Sequence, residues 1–113
     1  MTEKVQADLN RIRDVILKTV PTTQIYLFGS YAYGEPNKDS DYDIYVVLPD
    51  DGPRPLDAMF EIRAAIPEDI FMPIDILALK ESRFNYRLGA PTLENTVHEK
   101  GVLLYDQSIG THP

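Results

Sequence analysis

Cysteine is absent from the 113 residues, which excludes disulfides and thiolate metal sites and suits a reducing, cytoplasmic setting. Basic residues are scarce beside acidic ones: 11 Lys and Arg stand against 18 Asp and Glu, for a formal net charge of −7. That balance opposes a broad nucleic-acid surface, because neutralising a phosphate backbone takes clustered Lys and Arg. A nucleotide can still bind if metal ions carry the positive charge. Long apolar runs are missing as well. Stretches such as residues 44–48 fall far short of the ~20 residues that span a bilayer. The opening Met1-Thr2-Glu3-Lys4-Val5-Gln6 leads into a polar amphipathic segment and not into an apolar leader. There is no internal repeat, low-complexity tract or interdomain linker. At this length, with 43% hydrophobic residues, the chain suits one compact domain with a modest core and leaves no room for a second.

What is present alternates between helical and extended patterns. Val5, Leu9, Ile12, Ile16 and Val20 recur every three or four residues, predicting an amphipathic helix over 3–20 that Pro21 ends. Residues 24–28 have the β-branched and aromatic content of a short buried strand. Residues 30–33 read as a helical turn, 34–39 as a loop dense in turn formers, and 41–48 as a second strand stopped by Pro49. Pro55 can open a helix with Leu56, Met59, Ile62 and Ile66 along one face, closed by Pro67. Residues 74–79 read as a buried strand with one carboxylate, Asp75, inside it. Short helices are expected over 80–88 and 91–100, the latter with Gly101 as a left-handed cap, followed by a last strand over 102–105. The expected organisation is a domain over 1–107 and a frayed tail over 108–113. The fold class is α/β or α+β, with helices covering a small mixed sheet.

The chemistry concentrates in Gly29 to Asp43. Gly29-Ser30 directly follows Ile25-Tyr26-Leu27-Phe28, a strand ending in a tight turn where backbone N–H groups and a hydroxyl can converge on phosphate. Asp41 and Asp43 then stand two residues apart, on one face of an extended strand, with Ile44, Val46 and Leu48 on the other. Asp75 is the anomaly, since an unpaired carboxylate in an apolar strand is costly. A salt bridge to an arginine such as Arg63 would satisfy it, and so would a metal ion. If its strand pairs beside 41–48, three carboxylates meet. At ~4 Å each like-charged pair repels by about 4 kcal/mol at an effective dielectric of 20, so the cluster calls for cations. Oxygen-only ligands favour hard ions, Mg²⁺ before zinc. Two such ions can clamp an in-line displacement at phosphorus, the equipment of phosphoryl or nucleotidyl transfer. Tyr31, Tyr33 and Tyr42 read as packing with their hydroxyls in water, and His98 as a helix-end dipole partner.

The segment from Leu27 to Val47, with Gly-Ser, ten intervening residues and Asp-x-Asp inside a hydrophobic strand, resembles the signature of the nucleotidyltransferase superfamily that includes DNA polymerase beta and kanamycin nucleotidyltransferase. In so short a chain it is most similar to the minimal nucleotidyltransferases, the MNT family, whose pattern also includes a third carboxylate on a later strand and an ending like His98-Glu99-Lys100-Gly101-Val102-Leu103-Leu104-Tyr105. The resemblance implies the nucleotidyltransferase fold. It implies Gly29 and Ser30 as contacts to a nucleoside triphosphate, ATP in the family. It implies Asp41 and Asp43 as ligands of two Mg²⁺ ions, and Asp75 as the holder of the catalytic ion that helps activate an acceptor hydroxyl. Many relatives carry Arg or Lys before the second glycine, where this chain has Tyr33; Lys38 is near enough in sequence to substitute as a phosphate contact. By analogy the partner is a HEPN-domain toxin, silenced when the antitoxin adds AMP to a tyrosine. Two other readings stay open: a non-catalytic antitoxin-like module that neutralises its partner by occlusion, and a small-molecule nucleotidyltransferase of the antibiotic-modifying type.

Overall fold

A computed structural model describes residues 1–37 and 39–111. The elements are α1 (Glu3–Thr19), β1 (Gln24–Phe28), α2 (Ser30–Tyr33), β2 (Tyr42–Leu48), α3 (Pro55–Ala65), β3 (Ile74–Lys80), α4 (Glu81–Arg87), α5 (Leu93–Lys100), β4 (Val102–Asp106) and β5 (Gly110–Thr111). The strands form one sheet in the order β3-β2-β1-β4-β5. β2 and β3 are parallel, and the other neighbours are antiparallel. The sheet is therefore mixed, as expected, with helices on both faces. Among the described residues no helix is long and apolar enough to cross a membrane.

Two apolar layers flank the sheet because β1 and β2 are hydrophobic on both of their faces. On one side Leu9, Ile12 and Ile16 of α1 and Ala58 and Ile62 of α3 pack over Tyr42, Ile44, Val46 and Leu48. On the other, Phe84 of α4 and Val97 of α5 pack over Tyr26, Phe28, Tyr45 and Val47. The alternation along β2 thus sends Tyr42 and Ile44 into the first layer and leaves Asp43 on the face of Tyr45 and Val47.

Several expectations need correction. Leu56 is not on the core face of α3: it is exposed, while Ala58 and Ile62 are buried. At 3.6 residues per turn Leu56 points roughly 160° away from Ala58. Gly101 is not left-handed. It has φ −69° and ψ 165°, and it must be glycine because a Cβ there would meet the carbonyl oxygens of Val97 and of Leu27, the latter at 2.9 Å. At the chain end, Gly110 and Thr111 pair with Asp106 and Tyr105, so the segment read as frayed contains a short antiparallel strand; His112, also assigned to that tail, lies outside the described residues.

Tyr42 is a further correction, since its hydroxyl is not in water. It is buried and donates to the Asp8 carboxylate at 2.8 Å, which also accepts from Lys4 at 2.8 Å. Burial pushes Asp8 up, but the hydrogen bonds from Lys4 and Tyr42 outweigh it and hold the carboxyl below its usual range. The opposite face repeats the device. Tyr45 donates to Glu94 at 2.8 Å, and Arg87 closes on the other oxygen at 2.5 Å. Burial again raises Glu94, while Arg87 and Tyr45 more than offset it and leave the net shift downward.

Both carboxylates are therefore charged and satisfied when folded. A depressed carboxyl contributes stability that is present above its unfolded pKa and lost as pH falls through the lower folded value. Glu94→Gln should accordingly cost about 1–3 kcal/mol at neutral pH by leaving the buried pair to Tyr45 and Arg87 imperfect. The cost should shrink on acidification through the carboxylate range. Urea midpoints at pH 7 and pH 3.5 with an unchanged slope check this; a pH-independent difference would contradict it.

Candidate active site

The strand β1 ends where Gly29 turns the chain into α2. Gly29 has φ 74° and ψ −158°, a region open essentially to glycine alone. A Cβ built on it would run into the Asp43 carboxylate, with the carboxyl carbon at only 3.0 Å. Glycine is required twice over, for its backbone angles and for the carboxylate laid against it. Ser30, half-buried, opens α2, where the first N–H groups of a helical turn have no intrahelical acceptor. Gly29 and Ser30 thus sit directly beside Asp43, across the antiparallel β1–β2 pair in which Phe28 faces Asp43.

Sheet register brings the carboxylates together. Asp43 on β2 lies beside Asp75 on the parallel strand β3, and Asp41 stands one residue before β2 on the face of Asp43. One carboxylate oxygen from each of Asp41, Asp43 and Asp75 lies within 4.8 Å of the other two. Burial, then the charges of Asp75 and Asp41, push the Asp43 carboxyl up from its usual range. Among the described residues no ion pair reaches any of the three. The cluster is carboxylate-only, crowded and uncompensated, so a hard divalent cation fits it better than any side chain present.

Asp75 is reached differently from the expectation of a buried strand. β3 is an edge strand whose face bearing Asp75 and Leu77 is open; both residues are exposed. The carboxylate is tolerated because water reaches it, and no burial penalty has to be offset. The alternative of a salt bridge to Arg63 is not what forms. Arg63 donates to the carbonyl of Ile74 at 3.1 Å instead.

What aligns these groups has little trace in the sequence. The Tyr42 amide donates to the Pro73 carbonyl at 2.9 Å, locking the start of β2 to the approach to β3. Its side chain pins the same point to Asp8 on α1 and meets the Tyr31 ring edge-on at 5.0 Å. Ahead of Asp41, Asn37 shapes the loop by accepting from the Asp39 amide at 2.8 Å, and its own amide donates to the Ser40 hydroxyl at 2.9 Å. The signal that could have found Tyr42 was its place between the two aspartates, which strand parity sends inward. Asp8 gave no such signal, lying among ordinary helix polar positions. Tyr33 is 43% exposed at the end of α2, and Lys38 lies outside the described residues. His98, in the last turn of α5, places Nδ1 3.2 Å from the Tyr26 hydroxyl.

The fold recurs in solved structures. A Sulfolobus solfataricus protein described as a nucleotidyltransferase superposes with a TM-score of 0.66 at 20% identity, covering 94% of this chain and 84% of that one. A mutant of the MntA-HpeT toxin-antitoxin gives 0.62 at 23% identity, and a toxin-antitoxin structure with AMP-PNP gives 0.63 at 24%, each covering 87% of this chain and 73% of the other. No curated protein matches the chain significantly in sequence. The sequence profile of the family described as Polymerase beta, Nucleotidyltransferase matches residues 10–109, which takes in α2, all three aspartates and β4, and the chain belongs to that family.

Proposed function

We propose that this nucleotidyltransferase moves a nucleoside monophosphate, AMP from ATP, onto an acceptor hydroxyl with Mg²⁺, and that the acceptor is carried by a partner protein. The observation that carries this is the convergence of Asp41, Asp43 and Asp75 within 4.8 Å beside the Gly29-Ser30 turn. Asp41, Asp43 and Asp75 would hold the metal, whose chemistry when bound is to neutralise the triphosphate and make the acceptor hydroxyl more acidic. Gly29 and Ser30 hold the triphosphate with backbone N–H groups and a hydroxyl. In the transfer the acceptor oxygen forms a bond to the α-phosphorus as the bond from that phosphorus to the bridging oxygen breaks; pyrophosphate leaves and Asp75 takes up the hydroxyl proton. No covalent enzyme intermediate is needed, since positioning and charge supply the catalysis. The likeness to toxin-antitoxin structures, one of them with AMP-PNP, supports a nucleotide and a toxin partner, and the resemblance to the MNT family makes a HEPN-type protein the acceptor to test.

Incubation with α-labelled nucleoside triphosphates and Mg²⁺, alone and with the product of an adjacent HEPN-type gene, tests the reading. Label on the partner, greatest with ATP and absent in EDTA, is the expected result. The second reading is neutralisation by occlusion, and the exposed Tyr33, at a position where many members of the resembled family carry Arg or Lys, favours it. Full neutralisation by Asp41→Asn/Asp43→Asn with no labelling by the wild type would decide for occlusion.

A further inference from the structure

α3 is apolar on two opposite sides, and the fold uses only one of them. Ala58 and Ile62 face the core, while Leu56 is 76% exposed and Phe60 82% exposed one turn later. An apolar side of a helix is ordinarily covered, and this second one is not. These two side chains are part of the wall of a groove of about 450 Å³, completed by Met59, Arg63, Ala64 and Ile76, so a protruding aromatic and the hollow it borders lie on the same patch. A two-fold interface demands that pairing, because one surface must be complementary to itself.

Charge points to the same occupant. The chain carries −7 overall, so two copies repel each other as whole molecules. The α3 flank instead bears Arg54 and Arg63 against Asp57 and Glu61, a locally neutral set in which Arg54 pairs with Asp57 at 3.0 Å. It is an apolar face on which two acidic molecules can meet without opposing like charges.

We propose that the outward side of α3, with Ile76 of β3 beneath it, forms the interface of a homodimer, with Phe60 of each copy seated in the groove of the other. The interface does not depend on the transfer reaction. Two exposed side chains per copy make a small contact against the ~800 Å² per partner of standard interfaces, so self-association is weak, reversible and concentration-dependent. The driving force is apolar while the net charges repel, so added salt tightens the dimer by screening.

Sedimentation equilibrium of the full chain at about 5–200 μM tests this. The expected result is a reversible approach to twice the 12.8 kDa of one chain. Tightening is expected between ~20 and ~300 mM NaCl, as the Debye length shortens. Phe60→Glu should weaken association at least ~100-fold, since the substitution counts twice across a two-fold axis and buries a charge. Its thermal midpoint should match the wild type's at concentrations too low for dimer, because Phe60 is 82% exposed and makes no part of the core, and Phe60→Leu should restore much of the association. A monomer at 200 μM, a dimer indifferent to Phe60→Glu, or loosening with salt would each overturn the proposal, the first leaving the face to a different protein. None of these results bears on label transfer, so the two readings fail separately.

Discussion

Asp43→Asn should lower label transfer by at least ~100–1,000-fold, the range for removing one preorganised electrostatic group, while raising the thermal midpoint of the metal-free protein. The two effects have one cause. Asp43 is partly withdrawn from water and then pressed by Asp75 and Asp41, and its carboxyl is raised from the usual range. A carboxyl raised in the folded state contributes most when protonated, and that contribution is lost as pH rises through the raised value. Asparagine is neutral throughout. The variant's advantage in EDTA should therefore appear above the carboxylate range and vanish below it. With Mg²⁺ the order reverses: ligand binding to the native state raises the midpoint of the wild type, and the variant gains little. Melting curves at pH 4 and pH 7.5, with EDTA or Mg²⁺, would read all four conditions. A variant less stable than the wild type in EDTA at pH 7.5 would show that Asp43 is structural.

Gly29→Ala should damage both the fold and the site. Alanine at φ 74° and ψ −158° carries a backbone cost of order 1–3 kcal/mol, and its Cβ displaces the Asp43 carboxylate. A displacement of about 1 Å at a reacting centre can alone cost ~100-fold in rate. The steric and backbone parts separate in a double-mutant cycle on stability. Made in an Asp43→Ala background, Gly29→Ala should retain its backbone cost and lose the steric one, so urea midpoints should reveal a positive coupling. Additive midpoints would mean that the carboxylate does not rest on Gly29.

The elements that could be read from the sequence were those whose signal is local. β1 and α2 have the expected bounds, as the Gly29-Ser30 turn is marked on both sides by its neighbours. The juxtaposition of Asp41, Asp43 and Asp75 was foreseeable only on the condition that β3 pairs with β2, which no local pattern decides; the register of Asp43 beside Asp75 supplies it. Asp75 and Leu56 were misread for a shared reason. Apolar neighbours signal burial in sequence, but an edge strand and the outward side of a surface helix keep apolar residues without covering them. Tyr42 was misread because its partner, Asp8, is 34 residues away, and a buried hydrogen bond between distant residues leaves no periodic trace.

The edge position of β3 also separates competence from folding. Asp43 lies in β2, a strand paired on both sides, with Asp41 just before it, while Asp75 rides on one gripped from a single side. Local openings with free energies well below that of global unfolding begin at such margins. A molecule whose β3 has peeled away still presents a phosphate turn and two carboxylates, and it lacks the third. Mild denaturant should therefore extinguish transfer before it erodes the helical signal, with the amides of β3 exchanging with solvent ahead of those of β1. The domain would pass through a state that grips its nucleotide and does nothing with it.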